Sequence, residues 1–149
     1  MSSEKLEKSF PALVAQGYRI TSEATVDYNC IAWAIEKDNL VWWPDTMSQF
    51  AWPEKLSREE SLDVFVAFFR RFGYEACQNG EFEQGFEKVA LYRDEHGRGS
   101  HAAKQLQSGK WTSKLGGDED IEHNTLDALV GMKLGYVGQI LKRPIFEVA

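Results

Sequence analysis

Cysteine, histidine and proline are scarce in this chain, numbering two, three and four among 149 residues. Cys30 and Cys77 are too few for a disulfide framework, and point instead to a reducing, cytoplasmic setting. The three histidines, His96, His101 and His123, form no HxH or HExxH pairing and the cysteines no CxxC, so a zinc site is not expected. No other metal and no organic cofactor is implied. Apolar runs stay far short of the roughly 20 residues that a membrane span needs. The opening stretch, MSSEKLEKSF, has no apolar segment of the kind a secretory signal carries. Basic residues are also in deficit, 17 against 23 acidic, for a net charge of −6. Such a surface repels phosphate backbones and anionic headgroups, so neither nucleic acid nor membrane is an expected partner.

What remains is a globular composition. Hydrophobic residues reach 43% and charged residues 27%, enough to build a core and too apolar for wholesale disorder. The length fits one domain over residues 1–149, with no repeat or linker to divide it. Aromatic residues, at 13%, suit either a dense core or an aromatic-lined cleft.

Local patterns predict helices first and strands later, an α+β domain with N-terminal helices packed on a small antiparallel sheet. The stretch through Ala24 is mixed and names no element. Cys30-Ile31-Ala32-Trp33-Ala34-Ile35 reads as a short buried helix, with Asp27 or Asn29 able to accept hydrogen bonds from its first amides. Asp38-Asn39 would stop it. From Leu40 to Leu56, Pro44 and Pro53 break any regular structure around Trp42, Trp43 and Trp52. Those tryptophans either line a groove or roof the core. Ser57-Arg58-Glu59-Glu60 has the form of a capping box, and Leu62, Phe65, Val66, Phe69 and Phe72 recur at helical spacing up to a stop at Gly73. Strands are predicted over Tyr74–Cys77, Phe86–Arg93, His101–Leu106, Lys110–Leu115 and Tyr136–Leu141, with a helical turn or two in Leu126–Met132. The acidic cluster Asp118-Glu119-Asp120-Glu122 reads as a solvated loop.

Chemistry is suggested by one pair. A thiol at a helix N-terminus lies among unpaired amides at the positive end of the helix dipole, which lowers its pKa and favours thiolate. Cys30 stands at such a position and Cys77 does not. A thiol nucleophile needs a base that titrates near neutrality, and His101 opens a strand after the Gly97–Ser100 turn. The bland counterparts are a cysteine that packs as a small hydrophobe and a histidine satisfied locally. His96 reads as solvated, and His123 as a capping neighbour or a second-choice base.

Cysteine on an early helix, histidine on a strand and a polar residue on the next strand resemble the papain-like cysteine peptidases, most nearly the NlpC-type and CHAP-type amidases. The layout runs from Asn29-Cys30-Ile31 through His101-Ala102-Ala103-Lys104-Gln105-Leu106 and the turn Gln107-Ser108-Gly109 to Lys110-Trp111-Thr112-Ser113. The blocks Tyr28–Ala34 and Trp111–Gly116 also resemble an uncharacterised group of small bacterial proteins, over most of the chain and with no activity attached. The superfamily resemblance implies a papain-like fold and a thiol hydrolase, a cysteine peptidase or amidase acting on a peptide, protein or cell-wall amide. Cys30 would attack, His101 would carry the proton, and Ser113 would orient the imidazole. Serine cannot supply the charge that stabilises imidazolium, and Asp118 or Asp120 are the acidic alternatives. If Gln107-Ser108-Gly109 is a loop with Gly109 left-handed, His101 shares a sheet face with Ser113; a two-residue turn puts Thr112 and Lys114 there instead. Acyl or glutaminyl transfer would use the same nucleophile. The reading from another class is a non-catalytic protein-binding or regulatory domain, immunity-like or adaptor-like, with an acidic surface and exposed aromatic residues for a protein partner.

Overall fold

Phe86–Arg93 has side chains suited to burial on both sides, and it forms the axis of the molecule. The computed structural model describes residues 2–22, 28–35, 41–115, 120–131 and 134–145. Asp27, Asp38, Asn39 and Asp118, named above as a cap, a helix stop and an imidazole partner, lie outside the described residues. In chain order the elements are α1 (Ser2–Ser9), α2 (Ala12–Gln16), β1 (Tyr18–Ser22), α3 (Cys30–Ala34), α4 (Leu62–Arg70), β2 (Glu75–Cys77), β3 (Phe86–Arg93), β4 (Gly99–Gln105), β5 (Trp111–Lys114), β6 (Asp120–His123), a 3-10 turn (Leu126–Leu129) and β7 (Tyr136–Pro144). The strands form one sheet in the order β1-β6-β5-β4-β3-β7-β2, with every neighbour antiparallel.

The sheet is covered on both faces, because its side chains alternate between two cores. One face carries Val89, Leu91, Ala102 and Leu141 against α3, α4 and Trp52. The other carries Ala90, Tyr92, Ala103, Trp111 and Ile121 against Leu6, Phe10, Leu13, Ala128 and Leu129 from α1, α2 and the 3-10 turn. Helix α4 buries Phe65, Phe68 and Phe69, each contributing about 1.5–3 kcal/mol of transfer free energy. Gly99 begins β4 where a Cβ would lie 2.2 Å from the Phe65 ring, so the glycine lets α4 close on the sheet.

The hairpin that carries His101 takes the glycine-bulge form. Gly109 has φ +91°, and Lys104 faces Thr112 while Gln105 faces Trp111. Gly73, at φ +90°, ends the α4 region as its position suggested.

Four expectations are corrected. The mixed N-terminal stretch forms α1, α2 and the edge strand β1, so the sheet draws on both ends of the chain and is larger than expected. Ser57 does not cap α4: the helix begins after Ser61, because Glu60–Leu62 is drawn into strand-like pairing with Gly97–Gly99. Part of the acidic cluster is strand β6, with Asp120 fully buried. The last strand runs on through Pro144, whose partner on β3 is Phe86.

Candidate functional site

Asn29 organises the segment around the candidate nucleophile. Its Oδ1 accepts from the Ala32 amide at 3.2 Å, capping α3, and from the Trp42 amide at 3.1 Å. Its Nδ2 donates to the Trp42 carbonyl at 2.7 Å. One side-chain amide thus starts the Cys30 helix and ties the tryptophan loop to it, in the manner of a paired backbone unit.

Cys30 is the first residue of α3, as the sequence suggested, but it is only 5% exposed and packs in the aromatic core. Burial pushes its thiol up to about 11, outweighing the amides of Ala102, Ile31 and Cys30 and the charge of Lys114. The helix-start argument identified real stabilising groups, yet desolvation dominates them. The thiol is therefore protonated at neutral pH.

His101 lies elsewhere. It pairs across the ladder with Tyr92, whose ring is 5.3 Å away, and residues directly opposite in a ladder share a face. That face belongs to α1, α2 and the 3-10 turn, whereas Cys30 packs with α4 on the other. The sheet stands between sulfur and imidazole, and the expected Cys30–His101 pair is not assembled. His101 is 3% exposed, and its Nε2 has no hydrogen-bond partner among the described residues. Burial, helped by the neighbouring His123, pulls the ring down to about 3, so it is neutral.

Ser113 shares the His101 face, as the bulged register requires, but it serves a different histidine. Its hydroxyl lies 2.7 Å from His123 Nε2, while His123 Nδ1 is 2.9 Å from the Thr125 carbonyl. A carbonyl only accepts, so Nδ1 carries the proton and the Ser113 hydroxyl donates to Nε2. The order serine, imidazole, carbonyl is that of a nucleophile, base and orienter. Both side chains are fully buried, which keeps any substrate away.

Asp120 falls on the Cys30 face, since it alternates with Ile121. It accepts from the Tyr28 hydroxyl at 2.5 Å and is the ladder partner of the buried Lys114. Tyr28 stacks on Trp33, whose Nε1 donates to Thr112 Oγ1 at 3.0 Å. The polar groups are thus sorted by face: thiol, lysine and carboxylate with α3, imidazoles and Ser113 with α1 and α2. Lys114 and His123 were not given these roles by sequence reasoning. The alternation from Trp111 to Leu115 carried the signal for Lys114.

The tryptophans roof the core rather than open a groove. Trp52 stacks on Phe68 at 4.6 Å, and Trp43 lies 5.0 Å from Phe65. Their loop is closed at its neck by Trp42 and Ala51. At its tip Asp45 accepts from the amides of Gln49 and Phe50 and from the Arg58 guanidinium. This fastened tip displays Met47, 77% exposed, and Phe50, 41% exposed. Among the described residues no group of three or more metal-ligating side chains occurs, and no helix is long and apolar enough to cross a membrane.

Residues 19–142 match the family described as Domain of unknown function (DUF7689), and the chain belongs to that family. No curated protein and no solved structure matches it.

Proposed function

We propose that this member of the DUF7689 family is a non-catalytic protein-binding or regulatory domain, with the Met47–Phe50 tip as its contact. The observation that carries the reading is the separation of Cys30 from His101 by the sheet, with each side chain buried and uncharged. The tip supplies the positive argument. Two exposed apolar side chains are held by an Asp45–Arg58 clasp, so little ordering entropy remains to be lost on binding. The net charge of −6 favours a basic partner. In cells lacking the chain, Cys30→Ser is expected to restore the wild-type phenotype, and the Met47→Ser/Phe50→Ser double variant to fail. The reverse result would sink the reading.

A second reading, a thiol hydrolase of papain-like fold, draws support from Cys30 at the first position of α3 with backbone amides and Lys114 acting on its sulfur. It requires iodoacetamide to label Cys30 faster than Cys77 at neutral pH, and His101→Ala to abolish that preference. The binding reading expects Cys77 to react first and Cys30 to react only after unfolding.

A further inference from the structure

His101 and His123 are the two buried histidines, and both face the layer built from α1, α2 and the 3-10 turn. Their surroundings hold little that could accept a second ring proton. From β1 comes Tyr18, the ladder partner of His123; its hydroxyl donates to the Glu7 carboxylate of α1 at 3.1 Å. From β3 comes Tyr92, whose hydroxyl donates to the Leu126 carbonyl and lies within reach of the Asp127 charge. From β5 comes Ser113, bonded to His123, and the apolar residues of this face, Trp111 and Ile121 among them, pack against Leu6, Phe10, Leu13, Ala128 and Leu129 of α1, α2 and the 3-10 turn. No described carboxylate is bonded to either imidazole. Protonating His101 would bury a charge on an Nε2 that has no described partner. Protonating His123 would force Ser113 to give up donating to its Nε2. The opposite layer contains no histidine.

We propose that α1, α2 and the 3-10 turn form an acid-released cover, which leaves the sheet when His101 and His123 take up protons while the α4 layer stays packed. The cover is fastened by hydrocarbon contacts and by a few polar ties, such as Asn124 to the Gln16 carbonyl. The inference stands apart from the binding reading, because it concerns the opposite face of the sheet. Proton uptake on opening multiplies the opening constant by up to tenfold per pH unit for each histidine. For His101 alone the rise from pH 7 to pH 5 is about 25-fold, given a ring held down to about 3 in the closed form.

Amide hydrogen exchange, corrected for the intrinsic rate at each pH, tests this on the full chain. Residues 2–16 and 126–129, the cover itself, are expected to show a rise of about 25-fold or more in opening between pH 7 and pH 5, and residues 62–70 little change. His101→Phe should cut the first rise by about 25-fold. Equal rises in both stretches, or a rise untouched by the variant, would overturn the proposal. If His101→Phe does not fold, the imidazole resonances of the unaltered protein decide. A His101 ring that stays neutral to pH 5 in the folded state supports the cover, and one that titrates near pH 6.5 overturns it.

Discussion

The two faces of the sheet are both well packed, but they solve burial differently. On the α4 face, rings meet rings: Phe68 stacks on Trp52 and touches Trp42, Phe69 and Phe72. On the α1/α2 face, aliphatic and aromatic residues surround hydrogen-bonded imidazole and hydroxyl groups. The first arrangement depends on volume and contact, and the second on keeping neutral groups neutral. Truncation should therefore injure one face, and acid the other.

The largest effect belongs to the ring cluster. Phe68→Ala is expected to lower stability by about 3–5 kcal/mol in denaturant unfolding, and a loss under about 1 kcal/mol would mean that the tryptophan roof is loosely packed. Acid comes next. His101 is held down to about 3 in the fold against about 6.5 when unfolded. The unfolded chain therefore binds more protons between those values, and stability rises with pH across that window. It is complete above about pH 6.5 and falls below it, by about 2 kcal/mol at pH 5 from this group alone. Unfolding midpoints at pH 7 and pH 5, compared between the wild type and His101→Phe, measure that loss. Asn29→Ala removes the α3 cap and both ties to Trp42, for an expected cost of about 1–2 kcal/mol. A companion Asn29→Asp keeps the cap but sets a carboxylate oxygen against the Trp42 carbonyl, so it should recover only part of that loss. Smallest is Met47→Ser, expected to change stability by less than about 0.5 kcal/mol, because an exposed side chain contributes little to the fold. A larger cost would mean that Met47 packs against its own chain.

Elements that stood out in the sequence share a physical feature: an apolar pattern strong enough to survive without knowledge of its partner. α4 has its helical stripe, β3 its buried residues and the β4–β5 hairpin its glycine. β1 and β6 lack such a pattern. β6 reads Asp120-Ile121-Glu122-His123, with one apolar residue, and becomes a strand by pairing with β5 and β1. β1 exists as an edge because β6 offers it a ladder. The false capping box at Ser57 failed for a similar reason, since the pairing of Glu60–Leu62 with Gly97–Gly99 overrode a local signal.

The site divides along the same line. Local pattern alone determined that Cys30 begins a helix and narrowed the His101 hairpin to two registers, because capping, glycine conformation and alternation act within a few residues. The structure chose the bulged one, which puts His101 and Ser113 on one side. Tertiary structure decided on which side of the sheet α3 would lie, and hence that the sulfur meets Lys114 and the edge of the aromatic core rather than an imidazole. That choice rests on layer packing across β4 and β5, a sum of contacts between segments far apart in the chain, which no short stretch encodes.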